Sequence, residues 1–541
     1  MGGGCASESA TFGEREVLSN PVAKETKGTL VPTLGLTGVT VNAMALIAPG
    51  AFLWLTYQLQ AAQTVPGGTD STALEMWPGI VFALILAFLT AISYAELAKK
   101  YPEAGTGSSY YFAEKAFVDK EEVRHHKWAR LAKLVTGWSA HLFYWVYPGV
   151  MVAFMATLIS YLGGLFGLDI GVVPEIVICV LFAVVVGYIA YRGVNGSTMT
   201  ALMINIIQLV ALVFFSVLAI AYRFLNPDQA TFVFPSAGSV LIPHDIMNVL
   251  FQSTIAILIL VGFESTTAFA AEAKNPGRDV PRAALLALII QGLIAYLFEY
   301  FAANFSISDK LVYTTTDGTV LTGMDAAAAS SAPIGDMILL IGNSLLGGIG
   351  FDLTIVIALT VALAILGTTL SAMNTGVRIT FAMAQDAEMP EPLGLLHGSY
   401  ATPHTAVWAM VAVSAVVGII GVFSVVTLTG ITLASNFGTF VLYALTCLWT
   451  VIAFHGRAEG SMLKHVVVPV LGLLANLAML ATILGMGILG GGTSQQESLL
   501  ALGIAAFWAI VSAIYVLVNN RRQGRSLIAA PASSSVAAEH I

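Results

Sequence analysis

The stretch that decides the fold is residues 257–283, ILILVGFESTTAFAAEAKNPGRDVPRA. It begins as an apolar run of the kind found in membrane helices, and the run is interrupted by Gly262, Phe263, Glu264 and Ser265. A carboxylate at that depth is costly in hydrocarbon, so we expect Glu264 to face the protein interior or a water-filled cavity. The glycine beside it weakens the helix and lets backbone groups turn toward a ligand. An interrupted membrane helix that carries a buried acid is typical of a transport site.

The composition places the whole chain in a membrane. Of its 541 residues 57% are hydrophobic and 10% are charged, with a mean hydropathy of +0.84, whereas about 25% of the residues in a soluble domain are charged. The three cysteines form neither a disulfide framework nor a metal-ligand spacing. The sequence has no phosphate-binding loop motif. We therefore expect no ATP-driven pump, no enzyme, no bound metal or cofactor, and no nucleic-acid partner.

Apolar stretches near the length that spans a bilayer occur twelve times. They predict an all-α polytopic membrane protein with transmembrane helices at residues 33–57, 76–98, 135–163, 173–191, 199–222, 247–272, 283–304, 351–383, 405–424, 428–454, 465–489 and 499–518.

The basic residues test this helix count independently. With a cytoplasmic N-terminus, 21 of the 23 Lys and Arg fall in the inner segments, and only Arg223 and Lys310 fall in the outer ones. The positive-inside rule demands such an asymmetry. The sequence therefore predicts a multi-pass protein of the cell membrane with both termini in the cytoplasm. The N-terminal segment 1–29 would be cytoplasmic, and the tail 519–541 cytoplasmic and disordered.

The first predicted helix is interrupted as well. The step Ala48-Pro49-Gly50 removes one backbone donor and favours unwinding. The two interrupted helices are five helices apart. Corresponding breaks in two halves of a membrane protein point to inverted repeats with a substrate site at the midplane of the bilayer.

Four motifs resemble those of the amino acid–polyamine–organocation (APC) superfamily of permeases. They are YAEL at residues 94–97 with the following AKKYPEAGTGSSYYFAEKAF, IAYRGVNGSTMTALMINIIQL at 189–209, GFES with AEAKNPGRDVPRA in the opening stretch, and RITFAMAQDAEMP at 378–390. The order and spacing match from about residue 30 to the tenth helix. The match is specific for the superfamily and says little about the substrate.

The resemblance implies the LeuT-type fold. Helices 1–5 (30–222) and helices 6–10 (247–454) would be inverted repeats, followed by helices 11 and 12 (465–518). The unwound step at Ala48, Pro49 and Gly50 would offer the amides of Gly50, Ala51 and Phe52 to a substrate carboxylate.

The same resemblance implies that the carbonyls around Leu260, Val261 and Gly262 hold a substrate ammonium group. Leu258 stands where family members often have an aromatic gate, which lowers the expectation of an arginine-like cargo. The predicted substrate-binding set is completed by Phe263, Glu264 and Ser265.

The coupling ion is either H⁺ or Na⁺. Glu264 aligns with a carboxylate that acts in related antiporters as a substrate or proton sensor, and the alternative is a structural hydrogen-bonding role. Gln208 stands where proton-coupled relatives often have a lysine, and glutamine cannot titrate. Thr368, Ser371 and Asn374 offer oxygens for a sodium ion, and the alternative is ordinary hydrogen bonding between helices.

Five further residues carry weaker expectations. Trp138, Tyr144 and Trp145 on the third helix are candidates for lining the pathway. Glu299 and Asp352 lie near the predicted outer ends of their helices, where we expect water to be close.

The function that fits all of these features is secondary active transport of a small amino acid or related amine by alternating access. The substrate would bind between the unwound middles of helices 1 and 6. The alternative is an amino-acid sensor that does not transport, or a channel-like protein, on the same fold. The cargo, the coupling ion, the direction of transport and the oligomeric state are left open.

Overall fold

A computed structural model describes residues 32–47, 49–65, 68–120, 123–193, 197–400 and 402–528. Within these ranges the regular structure is helical except for one antiparallel hairpin, in which β1 (Val312–Thr314) pairs with β2 (Val320–Thr322). The predicted segment 1–29 and the end of the predicted tail, 529–541, lie outside the described residues.

In chain order the α-helices are α1 (Leu36–Ile47), α2 (Pro49–Ala61), α3 (Met76–Lys100), α4 (Ser109–Val118), α5 (Ala129–Leu165), α6 (Val172–Arg192), α7 (Ser197–Leu225), α8 (Ala237–Leu241), α9 (Ile246–Ala256), α10 (Ser265–Ala268), α11 (Pro276–Ala287), α12 (Leu297–Ser306), α13 (Gly323–Ala329), α14 (Pro333–Leu345), α15 (Gly350–Gln385), α16 (His404–Gly421), α17 (Val425–Phe454), α18 (Val468–Leu489) and α19 (Gly492–Gln523). Short 3₁₀-helical segments are formed by Ala73–Glu75, Pro102–Gly107, Val123–Trp128, Ile257–Ile259, Ala270–Glu272 and Glu391–Gly394, and π-helical segments by Leu288–Tyr296 and Met462–Val467.

Ten helices of the described chain are long and apolar enough to cross a bilayer. They correspond to ten of the twelve predicted segments, so the protein is a multi-pass, all-α membrane protein. The other two predicted segments, 33–57 and 247–272, contain the shorter helices α1, α2 and α9. The total of twelve spans stays a prediction.

The predicted interruption at Gly262 is present. Helix α9 ends at Ala256, one 3₁₀ turn follows, and the chain then turns through Gly262, whose φ of +133° lies outside the helical range, before α10 begins. The other predicted interruption includes Ala48, which lies outside the described residues. The structure describes α1 up to Ile47 and α2 from Pro49.

Helix α5 forms the centre of the bundle and packs against α15, α16 and α17. The most apolar 18-residue stretch of the span that contains α5 is 89% buried inside the protein, whereas the corresponding stretch of α19 is only 17% buried. Helix α19 therefore lies at the periphery, where an apolar surface suits lipid. The interrupted segments lie inside the bundle, since Leu258, Val261 and Phe263 are fully buried.

Polar contacts bring the predicted inner segments to the same end of the bundle. Lys133 Nζ lies 2.9 Å from Asp386 Oδ2, and Lys120 Nζ donates to the carbonyl of His455 at 2.8 Å. These contacts connect the start of α5 and the loop after α4 with the loops that follow α15 and α17. The helix order is consistent with the predicted topology, and the cytoplasmic location of this end stays a prediction.

A glycine sets the distance between the two central helices α5 and α17. A Cβ added at Gly438 would lie 2.7 Å from the Phe143 nitrogen and 3.1 Å from the Leu142 carbonyl carbon. Because the helices would have to separate, we expect Gly438→Ala to lower the free energy of unfolding by about 1–3 kcal/mol, measured as a lower thermal midpoint of the purified protein. The matched control is Gly485→Ala on α18, where no heavy atom lies within 4 Å. An equal effect of the two substitutions would contradict this packing.

Candidate functional site

The interruption at Gly262 lies directly against the end of α1. A Cβ added at Gly262 would come within 2.9 Å of the Ile47 nitrogen and 3.0 Å of Leu46 Cβ. The φ of +133° also disfavours every residue other than glycine. Glycine is therefore required here both for the backbone conformation and for the close approach of the two segments.

Glu264 stands beside this contact and is only 2% exposed. Its Oε1 accepts a hydrogen bond from the Tyr144 hydroxyl at 3.0 Å, and its Oε2 accepts from the Tyr443 hydroxyl at 2.7 Å and from the Gly262 N–H at 2.9 Å. Three donors compensate for the burial of the carboxylate. The carboxylate ties the interrupted segment to α5 and α17 at once.

Aromatic rings close the side of the site next to Glu264. The Phe263 ring lies 5.3 Å from the Tyr443 ring and 6.0 Å from the Tyr94 ring, measured between centroids. Tyr94 and Tyr443 also make an edge-to-face contact at 6.0 Å. The predicted substrate residue Phe263 is thus one of three rings packed against each other. Of the third-helix candidates, Tyr144 reaches Glu264, whereas Trp138 and Trp145 pack around His141.

The last carbonyls of α1 accept hydrogen bonds from side chains of four other helical segments. The donors and acceptors are Asn205 to Val41 (3.2 Å), Gln291 to Met44 (2.8 Å), Tyr147 to Leu46 (3.3 Å), Tyr296 to Ile47 (2.6 Å), Thr368 to Ala45 (3.0 Å) and Ser371 to Asn42 (3.2 Å). Carbonyls near a helix end lack some of their partners within the helix. The set is the polar environment expected where a membrane helix stops.

Two predicted coupling residues belong to this set. The hydroxyls of Thr368 and Ser371 on α15 donate to the carbonyls of Ala45 and Asn42 on α1, at 3.0 and 3.2 Å. Oxygen ligands suit a hard cation. The same distances are also ordinary hydrogen bonds, so both interpretations of these residues fit the geometry.

The other predicted coupling residues are Gln208 and Asn374. Gln208 is buried on α7, and Asn205, one turn earlier, donates its amide to the Val41 carbonyl of α1. Asn374 lies one turn beyond Ser371 on α15, and its carbonyl accepts a hydrogen bond from Arg378 Nη1 at 3.1 Å.

The predicted substrate residues of the interrupted segment are brought together. Leu258 and Val261 are fully buried in the turn, and Ser265 Oγ donates to the Gly262 carbonyl at 2.6 Å. The Leu260 and Val261 carbonyls accept no hydrogen bond from the described residues. At the start of α2, residues 50–52 form the first helical turn. The backbone N–H groups of a first turn lack a partner within the helix.

Below the site the interrupted segment is fixed to α15 and to the residues that precede α1. Arg378 donates from Nε and Nη2 to Glu272 Oε1 at 2.8 and 2.6 Å, and its guanidinium lies 4.3 Å from the centre of the Phe269 ring. Leu34 N donates to the Glu272 carbonyl and Lys274 N to the Leu34 carbonyl, both at 2.8 Å. The segments before α1 and after α10 are thus joined through their backbones.

The expectation that Glu299 lies close to water is wrong. Its side chain is 1% exposed, because α12 faces α7 at this position instead of the surface. Asp352 is exposed, as expected.

Sequence reasoning did not single out Tyr443, Asn205, Gln291, Tyr147 and Tyr296. Only Asn205 stands in a quoted motif, the segment 189–209, and the motif gave no reason to select it. Each is a polar residue in an apolar helix, and this was the only signal that the sequence offered.

Comparison with known proteins agrees with this geometry. The family model for amino acid permeases matches residues 39–528. The chain belongs to the amino acid permease family. The predicted membership of the APC superfamily is thereby confirmed.

Three relatives show the range of cargo within similar sequences. The methylthioribose transporter of Bacillus subtilis is 24% identical over 61% of this permease and 65% of the relative. The branched-chain amino acid permease BcaP of the same organism is 23% identical over 63% and 67%. The low-affinity putrescine importer PlaP of Escherichia coli K12 is 22% identical over 90% and 92%. The first two matches thus span about two thirds of those relatives, and the third spans nearly all.

The cluster around Glu264 can be tested by removing its hydroxyl donors one at a time. We expect Tyr443→Phe and Tyr144→Phe each to lower the free energy of unfolding by about 1–3 kcal/mol, because each leaves a buried carboxylate oxygen with one donor fewer. Chemical unfolding of both variants and of the double variant would measure the coupling between them. The matched control is Tyr188→Phe on α6, a tyrosine that is 50% exposed. If the effects of the two substitutions on the free energy of unfolding simply add, and neither is larger than the effect of the control, the two hydroxyls do not share the Glu264 carboxylate.

Proposed function

We propose that this permease is a secondary active transporter of a small amino acid or related amine and works by alternating access. The substrate would bind between the end of α1 and the turn at Gly262. The observation that carries the proposal is the contact of Gly262 with Ile47 beside the buried Glu264. It supports the proposal because the turn at Gly262 and the end of α1 are in direct contact inside the bundle.

The proposed architecture is the LeuT-type arrangement of twelve spans. Residues 30–222 and 247–454 would form the two inverted repeats, and residues 465–518 the last two helices. The ten long helices and the interrupted segments in the two remaining places support it. In the proposed orientation the protein spans the cell membrane and both termini lie in the cytoplasm.

The proposed motion separates the inner parts of the interrupted helices from their outer parts. The backbone bonds between Leu34, Glu272 and Lys274 support it, because they allow the inner parts to move as one unit. The ion pair of Arg378 with Glu272 would break when that unit leaves α15. The bonds from Glu264 to Tyr144 and Tyr443 would also rearrange.

The proposed cargo follows from the backbone groups at the site. The Leu260 and Val261 carbonyls would accept hydrogen bonds from an ammonium group. The amides of Gly50, Ala51 and Phe52 would bind a carboxylate at the start of α2, where the helix dipole favours negative charge. A branched-chain amino acid permease and a putrescine importer among the relatives support an amino acid or amine.

We propose two alternative coupling ions, which an experiment can distinguish. A sodium ion would bind at the oxygens of Asn42, Ala45, Thr368 and Ser371. A proton would bind at the Glu264 carboxylate. The hydroxyls of Tyr144 and Tyr443 would reorient when the charge of that carboxylate changes. The two proposals differ in their dependence on external sodium.

The decisive experiment is uptake into proteoliposomes with a panel of amino acids and polyamines that compete with one another. We expect saturable and stereoselective uptake of at least one member, and loss of that uptake in Gly262→Val, because the side chain would fill the contact with Ile47. The matched control is Gly164→Val on α5, where no heavy atom lies within 4 Å. Binding without flux would indicate the sensor, and current that does not saturate would indicate the channel. Either outcome overturns the transporter.

A further inference from the structure

A second buried carboxyl group lies outside the site described above. Glu299 is 1% exposed, and its Oε2 has no hydrogen-bond partner among the described residues. This differs from Glu264, whose two oxygens share three donors. A buried polar atom without a partner is rare in folded proteins and calls for an explanation.

Glu299 faces a small cavity of about 10 Å³, room for about one water molecule. The walls come from four helices besides its own, and they are Trp54 of α2, Ala211, Leu212 and Phe215 of α7, Ile334 and Ile338 of α14, and Ile357, Thr360 and Val361 of α15. Apart from the indole N–H of Trp54 and the hydroxyl of Thr360, which donates to the Ile357 carbonyl at 2.7 Å, these side chains are apolar. An ionised carboxylate is costly in such surroundings.

The nearby titratable groups do not compensate for a charge on Glu299. The walls contributed by α2, α7, α14 and α15 contain no titratable side chain. On its own chain segment, Tyr296 donates to the Ile47 carbonyl and Tyr300 donates to Gln60 Oε1, both at 2.6 Å. Tyr57 of α2 donates to Asn304 Oδ1 at 2.7 Å.

The charged residues of the neighbouring helices are engaged or exposed elsewhere. Asp336 of α14 accepts from the Tyr161 hydroxyl at 2.9 Å. Arg223 of α7 donates to the carbonyls of Phe305 and Pro235. Asp352 of α15 is exposed. None of the three belongs to the wall of the cavity. A single carboxyl group among apolar walls suits a proton and not a metal ion, which needs several oxygen ligands.

Helix α2 contributes Trp54 to the wall of the cavity, and this connects the cavity to the proposed transport cycle. Helix α2 is held to the segment of Glu299 through Gln60 and Tyr57, and the end of α1 is held to it through Ile47. If α2 moves away, the wall at Trp54 opens and water can reach the carboxyl group. If α2 returns, the carboxyl group is again enclosed by apolar side chains.

We propose that Glu299 is a proton-binding site that is loaded when α2 closes over the cavity, and that this protonation favours the closed state of the transport cycle. The carboxylate takes up one proton from the outer water on closing and returns it to the outer water on reopening, so that the proton balance is zero and the outer pH sets the stability of the closed state. The proton stabilises the closed arrangement, and an acidic outer phase therefore favours uptake. The coupling to transport rests on the proposed function, whereas the protonation of Glu299 does not.

Infrared spectroscopy of the purified permease in lipid tests the protonation without any substrate. The unmodified protein should show the carbonyl band of a neutral carboxylic acid, and Glu299→Gln should lose one such component. The matched control Asp336→Asn removes a carboxyl group with hydroxyl donors and should retain the Glu299 component. Should Glu299→Gln fail to fold, Glu299→Asp should shift the component. Absence of the band from the unmodified protein, or an unchanged band in the Glu299 variants, would overturn the proposal.

Transport tests the coupling separately. For an amino acid that the unmodified protein takes up, an inward proton gradient should accelerate uptake several-fold. Glu299→Gln should lose this acceleration while it retains exchange of the same amino acid across the membrane without a gradient. Full acceleration in Glu299→Gln would contradict the coupling. If no panel member is taken up, the proposed function fails, and the infrared result still decides the protonation of Glu299.

Discussion

The burial of one carboxylate organises the centre of this permease. Glu264 lies in a membrane-spanning region, where an ionised group without partners is costly, and it accepts hydrogen bonds from Tyr144, Tyr443 and the Gly262 N–H. These donors come from α5, from α17 and from the interrupted segment itself. The position of that segment is therefore fixed by the need to satisfy a single side chain. Any movement that separates α17 from the segment must exchange these hydrogen bonds for others.

The same requirement explains the end of α1. Backbone groups in a bilayer are costly without a partner in the protein. Side chains of α5, α7, α15 and the π-helical segment donate to six carbonyls of α1, those of Val41, Asn42, Met44, Ala45, Leu46 and Ile47. Polar residues of apolar helices are concentrated where helices stop. Helices at the periphery, such as α19, present apolar surface instead. An interruption thus determines the placement of polar side chains far away in the sequence.

Much of this could be predicted from the sequence, because hydropathy, the glycine at residue 262 and the motif around it are local signals. The ten long helices, the turn at Gly262 and the family were predicted correctly. The partners of Glu264 were not all predicted, because Tyr443 is separated from it by 179 residues and only packing brings them together. The error at Glu299 has the same origin. Its position near a helix end suggested water, but α7 and the outer helix α14 cover it. The hydrogen bonds of Thr368 and Ser371 to α1 follow from packing as well, because their acceptors lie more than 300 residues away in the sequence.

The central claim is that substrate binds where the turn at Gly262 meets the end of α1. The most direct test is an experimental structure of the permease with a transported amino acid bound. The account predicts density for the amino acid between Ile47 and Gly262, with its ammonium group within hydrogen-bond distance of the Leu260 or Val261 carbonyl. Density elsewhere in the bundle, with Gly262 still packed against Ile47, would contradict it.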